Sequence, residues 1–256
     1  AFMERDALLI ASCSVSGAMQ VGSSRAWAIP SNAATLERRS TSRATWKPVT
    51  LTRPRRSRKT LGEPIQNVSS RFGATRLRGQ SGLGFNNIEL ITDRSLDTNF
   101  KEIADTKKRY SKHAVIVSLM VETRDEWKEI IARAEDAGAD GIELNFGCPH
   151  GMCERGMGSA VGQEPLVNER ITSWAREFAK VPVLVKLTPN VSDIIPHGLA
   201  AKRGGAHGVS LINTIKSIIG VDIDRFVPMP SVGNQSTNGG YCGAAVKPIA
   251  LHMTAA

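Results

Sequence analysis

The sequence predicts an α/β fold: a parallel sheet covered by helices, on the scale of a (β/α)8 TIM barrel in which not every strand is legible. Three observations predict it. From about residue 113 onward, short β-branched runs alternate with amphipathic stretches carrying charged faces, which is the rhythm of βα units. The 256 residues, 41% of them hydrophobic, are enough for one sizeable core. About 250 residues is also the usual span of a single (β/α)8 barrel, so one folded domain is the starting expectation.

Four units can be read in order. The first strand is expected at His113–Met120, followed by a helix over Arg124–Ala137 whose Trp127, Ile130, Ile131 and Ala134 share one face and which Gly138 ends. The second strand is Asp140–Asn145, followed by a long loop and a helix over Pro165–Lys180. The third is Val181–Leu187, with a helix over Ser192–Arg203. Gly204 and Gly205 lead into the fourth strand, Ala206–Asn213, and a last helix starts after Lys247. Strand, helix, strand repeated in this way argues for a parallel sheet. Two weaker strands are expected at Val68–Ala74 and Asn87–Ile91. Strands for the final two units are not expected within the sequence and the first is unrecognisable, so the predicted barrel is incomplete. Residues 1–58 show neither strand nor helix periodicity and are expected to be a basic, unstructured arm, with the folded domain over 59–256.

The formal charge of +9 is concentrated in one place. Between Glu37 and Lys59 lie nine basic residues and one acid, while the rest of the chain is almost neutral. That run has almost no aromatic interleaving and no binding motif around it, so nucleic acid is not the expected partner. Cys13, Cys148, Cys153 and Cys242 are too few and too irregularly spaced for a disulfide framework, which fits a reducing cytoplasm. The apolar stretch Ala7–Ala11 follows Glu4, Arg5 and Asp6 and is too short for a signal peptide, and no run approaches the ~20 apolar residues of a membrane helix.

The densest chemical signal is NFGCPHGMCERGMGSAVG, residues 145–162, directly after a strand. Loops beyond the carboxyl ends of parallel strands are where reacting groups gather. Pro149 stiffens the turn after Cys148, and glycines at 147, 151, 156 and 158 allow close approach to a ligand. A thiol, with a reference pKa of about 8.5, is a suitable general acid for delivering a proton to carbon, which makes Cys148 the candidate proton donor. The bland alternative is a small buried cysteine. A zinc site from Cys148, His150 and Cys153 lacks a second paired cluster, and no metal is expected. Lys186 interrupts the apolar run VPVLVKL near the strand's end, where it must pair, face a polar cavity or reach solvent as an edge lysine. If its side of the strand faces the barrel axis, it could stabilise negative charge on a reduced cofactor. Asn213 and Thr214, at the end of the next strand, offer a paired donor and acceptor to a flat polar ring, or simply cap the strand. Asn87 is uninformative by itself.

With these residues assembled, NFGCPHGMCERGMGSAVGQ, VKLTPNVSDI, GVSLINTIKSIIGVD and GGYCGAAVKPIAL resemble the flavin domain of the dihydropyrimidine dehydrogenases, relatives of the dihydroorotate dehydrogenases. The likeness runs from about Lys59 to the end and is strongest to the pyrimidine-reducing subunit of the bacterial NAD-dependent form. It implies a TIM barrel with FMN at its C-terminal mouth and reduction of uracil or thymine, the first step of pyrimidine degradation. Hydride would pass from flavin N5 to C6 and a proton from the loop cysteine to C5. Carried over by motif, Cys148 is the general acid, Asn87, Asn145, Asn213 and Thr214 hold the pyrimidine, and Lys59 and Lys186 contact the flavin. No Gly-rich dinucleotide fingerprint is present, so NAD(P)H is expected to be oxidised on a separate FAD- and NAD-binding subunit, within a homo- or hetero-oligomer. The competing expectations are a dihydroorotate dehydrogenase, and a non-catalytic fragment whose surviving units fold only in part.

Overall fold

The structure is a computed structural model that describes residues 10–11, 50–51, 72–75, 83–88, 95–149, 156–229, 231–232, 235–236 and 238–256. Its elements run, in order, β1 (Ile10–Ala11), β2 (Thr50–Leu51), β3 (Phe72–Thr75), β4 (Gly84–Asn87), α1 (Leu96–Arg109), β5 (Ile116–Leu119), α2 (Arg124–Asp136) and β6 (Gly141–Asn145). There follow α3 (Ser159–Gly162), α4 (Pro165–Phe178), β7 (Val183–Lys186), α5 (Ile195–Arg203), β8 (Gly208–Leu211), β9 (Ile215–Ser217), β10 (Gly220–Asp222) and β11 (Val227–Met229). The series ends with β12 (Ser231–Val232), β13 (Gln235–Ser236), β14 (Gly239–Cys242) and α6 (Lys247–Ala255).

The main sheet has the order β1-β8-β7-β6-β5-β2, and every pairing in it is parallel. Its centre, β5 to β8, is the four expected strands, each trimmed at its ends, with helices packed between them as a parallel sheet requires. Strand order here follows sequence order, the progression of a barrel wall, although the sheet does not close on itself among the described residues. Ile10–Ala11 and Thr50–Leu51, from the segment expected to be unstructured, pair with its two edges, Ile10 opposite Ser210 and Thr50 opposite Ser118. Lys59 lies outside the described residues.

Of the weaker strand expected at Val68–Ala74 only the part from Phe72 is described, and it does not join this sheet; of the one expected at Asn87–Ile91, residues 89–91 lie outside the described residues. Phe72–Thr75 and Gly84–Asn87 pair antiparallel with each other, and β14 and β9 extend them into a separate four-stranded sheet. The physical reason is the short link between them: neighbouring strands joined by a few residues pair antiparallel, whereas a parallel pairing needs a crossover. Asn87, expected as the first residue of a strand, is the last residue of β4. Helix α1 is not among the expected elements. It begins at Ser95, whose hydroxyl accepts from Thr98 N at 3.2 Å, and buries Asn99, Phe100 and Ile103.

The sheet's two faces divide by the alternation of its strands. Val117 and Leu119, Ile142 and Leu144, Val183 and Val185, and Val209 and Leu211 form one apolar face. They share a core with Trp127, Ile130, Ile131 and Ala134 of α2 and Ile171 and Ala175 of α4. Each such side chain, fully buried, contributes about 1.5–3 kcal/mol. The other face carries Ser118, Glu143, Asn145, Leu184, Lys186 and Ser210, all buried as well.

Local chemistry fixes where the elements begin. At α2, Thr123 Oγ1 accepts from Glu126 N at 3.3 Å and Glu126 Oε2 accepts from Thr123 N at 3.1 Å, a reciprocal cap that contributes about 1 kcal/mol. Gly138 then leaves the helix at φ +90°, where an L side chain would be strained. Just before β6, Asp140 accepts from Lys107 Nζ at 2.8 and 2.7 Å and from Val115 N at 2.7 Å, which ties α1 to the sheet. Burial on its own would raise the Asp140 pKa. The hydrogen bonds from Lys107 and Val115, with the Lys107 charge, outweigh it and hold the carboxyl below its ordinary value.

Candidate active site

The polar groups singled out in the sequence gather where the parallel strands end. Asn145 is the last residue of β6, Lys186 the last of β7, and the two stand opposite each other in the register. Asn213 and Thr214 follow the end of β8 by two and three residues. The Asn145 Oδ1 accepts from Asn213 Nδ2 at 3.0 Å and from Gly147 N at 3.3 Å, and the Asn213 Oδ1 accepts from Thr214 N at 2.7 Å. A continuous chain of amide groups therefore crosses from one strand end to another. Donors and acceptors alternate along it.

Two close approaches bring the remaining pieces together. A Cβ at Gly147 would stand 2.4 Å from Asn213 Cβ, and one at Gly240 would stand 2.2 Å from Thr214 Oγ1, so neither position tolerates a side chain. Gly240 of β14 is the register partner of Asn87 in β4. The antiparallel sheet thereby carries Asn87 to the Thr214 end of the amide chain. Asn190 reinforces this end: its Nδ2 donates to Thr188 Oγ1 at 3.0 Å and to the Thr214 carbonyl at 3.2 Å, while its Oδ1 accepts from Lys216 N at 2.8 Å. Sequence reasoning passed over Asn190, although LTPN after a buried strand was a visible signal.

Cys148 lies in the loop leaving β6, 8% exposed, against Met120 and Met157. Its carbonyl accepts from Ser159 N at 3.1 Å, which pins the loop to the start of α3. On the strand side, Phe146 N donates to the Lys186 carbonyl at 3.1 Å. The Phe146 ring meets Trp127 edge-on at 6.4 Å, so the loop is anchored in the core as well as at the rim. Further along, α3 is held from outside by His197 of α5, which hydrogen-bonds the Gly162 backbone and whose own carbonyl accepts from Asn168 Nδ2 at 3.1 Å. Burial holds the His197 imidazole below its ordinary pKa, against that hydrogen bond and the charges of Asp193 and Glu164.

Lys186 is 1% exposed, which removes the reading of an edge lysine reaching solvent. Its Nζ stands 3.1 Å from Glu143 Oε1, and Ser118 Oγ donates to the same oxygen at 2.9 Å. Glu143 is a second residue that sequence reasoning missed. The signal was an acid inside the apolar run GIELN, two residues from Asn145 and so on the same face of the strand. Cys148 and Cys242 are both in the thiol form and both buried. Among the described residues no three His, Cys, Asp or Glu side chains are grouped to hold a metal; His150 and Cys153 lie outside them. No helix among the described residues is long and apolar enough to cross a membrane.

A parallel α/β sheet with polar groups and a loop thiol at the carboxyl ends of its strands has the layout of barrel enzymes, whose reacting groups gather at that rim. The chain belongs to the dihydroorotate dehydrogenase family, which matches residues 81–256. It is 43% identical over 194 residues to the chloroplastic dihydropyrimidine dehydrogenase (NADP(+)) of Arabidopsis thaliana, covering 73% of this chain and 45% of that protein. It is 41% identical over 196 residues to the NAD-dependent dihydropyrimidine dehydrogenase subunit PreA of Escherichia coli, covering 76% and 47%. To the catalytic subunit of dihydroorotate dehydrogenase B (NAD(+)) from Alkaliphilus metalliredigens it is 40% identical over 139 residues, covering 54% and 43%. The chain thus spans less than half the length of these relatives, and the resemblance read from its motifs holds.

Members of this family are flavin enzymes with the TIM-barrel fold. The residues present suit such a cofactor by the chemistry of their donors. A buried cation with a fixed partner can meet the electron-rich edge of a flavin, and the Asn145, Asn213 and Thr214 groups lie at the same strand ends.

Proposed function

We propose that this chain reduces uracil and thymine to their 5,6-dihydro forms, as the flavin-bearing part of a dihydropyrimidine dehydrogenase acting in pyrimidine degradation in the cytoplasm. One observation carries the reading: Gly147, the neighbour of Cys148, abuts Asn213, whose amide is bonded to Asn145, so the thiol loop and the amide chain are built as one unit. FMN, when bound, supplies the hydride that adds to C6 of the pyrimidine.

In this reading Asn87, Asn145, Asn213 and Thr214 hold the ring by its amide and carbonyl edges and so fix which carbon faces the thiol. Cys148 gives its Sγ proton to C5, and the thiolate regains a proton from solvent, so hydride and proton together saturate the C5–C6 bond. Lys186, with Lys59, contacts the flavin, and the Lys186 ammonium offsets negative charge there. The reducing electrons originate in NAD(P)H on a separate FAD- and NAD-binding subunit within a larger oligomer. The name of the Escherichia coli relative as a subunit of an NAD-dependent enzyme supports that arrangement.

The dihydroorotate dehydrogenase B relative favours a second reading, oxidation of dihydroorotate at the same site. Assays of the FMN-loaded chain with uracil and with dihydroorotate separate the two, since turnover of dihydroorotate alone overturns the proposal. Replacing Cys148 with Ala should lower pyrimidine reduction about 10²–10⁴-fold while flavin binding persists. Undiminished turnover in that variant would remove the thiol from the mechanism.

A further inference from the structure

The interior face of the sheet holds one charge that the proposed chemistry does not use. Glu143 sits in the middle of β6 and is 2% exposed. A single oxygen of its carboxylate, Oε1, takes both the hydroxyl of Ser118 from β5 and the ammonium of Lys186 from β7. Three adjacent strands therefore converge on one buried atom. The register sets Glu143 opposite Leu184 and Ser118, and Lys186 opposite Asn145, so Lys186 reaches back one step along the barrel wall to meet its partner. Leu184, the residue beside Glu143, offers it nothing polar.

We propose that Glu143 is a positioning residue for flavin chemistry: its carboxylate anchors the Lys186 ammonium and so fixes where that charge stands relative to the cofactor edge. The inference rests on the reading of Lys186 as a flavin contact. Burial makes the arrangement consequential. A lysine with four rotatable carbons can place its charge over a wide range, and in a low-dielectric interior a charge fixed in position acts far more strongly on a neighbour than a roaming one in water. A carboxylate suits the task because it only accepts: both Ser118 and Lys186 must donate into it, and neither can invert the pair. Ser118 in turn holds the carboxylate, which makes the layer rigid from β5 to β7.

The test is a titration of the full chain with FMN, followed by quenching of flavin fluorescence and by the visible absorption of the bound flavin, for the parent, E143Q, K186M and the double variant. Glu143→Gln keeps the shape and removes the charge. E143Q should bind FMN about tenfold more weakly, the equivalent of one charge-assisted hydrogen bond, and shift the flavin's absorption bands. In the K186M background the same change should have no further effect, because the two residues act through one atom pair. E143Q binding FMN as the parent does, with an unaltered spectrum, while K186M binds more weakly, overturns the inference alone. An equal loss from E143Q with and without Lys186 also overturns it. If K186M binds FMN as the parent does, or the parent binds none, the flavin reading of Lys186 fails, and the inference with it. Should E143Q not fold, the double variant decides. A folded double variant means the carboxylate is required on account of the ammonium, and an unfolded one overturns the proposal.

Discussion

The two faces of the strands β5 to β8 are equally buried and have opposite chemistry. One is Val, Leu and Ile throughout and shares a core with α2 and α4; the other is Ser118, Glu143, Asn145, Lys186 and Ser210. On the apolar face no group depends on a particular neighbour, and complementarity of volume suffices. On the polar face groups are paired across strands, as Glu143 is with Ser118 and Lys186 on the neighbouring strands, and Asn145 with Asn213 beyond β8. The difference teaches that this sheet uses one surface for stability and reserves the other for orientation. Polar partners held across strands cost stability that the apolar face must supply.

The contrast can be broken most forcefully from the apolar side. Ile142→Ala should destabilise the fold by about 2–5 kcal/mol in urea unfolding, since a fully buried side chain leaves a cavity that the flanking strands cannot close. If the faces are independent, flavin affinity measured well below the unfolding transition should remain at the parent value. A loss of both would mean that the faces are coupled. A smaller effect is expected on the polar side. Asn213→Ala removes the donor to Asn145 and the acceptor for Thr214 N, leaving buried groups unsatisfied at a cost of about 1–3 kcal/mol. Its signature should be a raised KM for the pyrimidine beyond what the stability loss explains.

The smallest effect concerns two histidines, His207 just before β8 and His197 in α5. Burial lowers the pKa of His207, with the Arg176 charge acting in the same direction, and burial also lowers that of His197. A histidine with a depressed folded-state pKa stays neutral while the unfolded chain takes up a proton. Stability is therefore lost as pH falls below the ordinary value of about 6.5. Asp140, also depressed, adds its own loss only at lower pH, as acid protonates the carboxyl bonded to Lys107 and Val115. The thermal midpoint should decline between pH 7 and 5, and His207→Gln should flatten part of that decline. A midpoint unchanged over this range would show that neither imidazole resists protonation in the folded chain.

Much of this was legible beforehand, because periodicity is a local property. VIVSLM, GIELN, VLVK and GVSL announced themselves as buried strands, the stripe of Trp127, Ile130, Ile131 and Ala134 marked a helix, and Gly138 its end. The thiol loop could be placed at a strand's carboxyl end for the same reason. Leu96–Arg109 escaped notice because only Asn99, Phe100 and Ile103 on it are buried, and three positions make a faint stripe. The expectation of a strand starting at Asn87 rested on the β pattern of IELI, whereas the strand that ends at Asn87 is set by its pairing with β14.

By itself, then, the sequence determined the βα rhythm, the buried faces of the strands and the loop that carries Cys148. Only the tertiary structure decided that Glu143 and Lys186 neutralise each other, that Asn145 bonds Asn213 across 68 positions of chain, and that Gly240 brings Asn87 to Thr214. The reason is physical. Backbone geometry fixes the direction of a side chain within its own element, whereas the partner it meets depends on which strand is packed alongside, and that follows from the closure of the whole core.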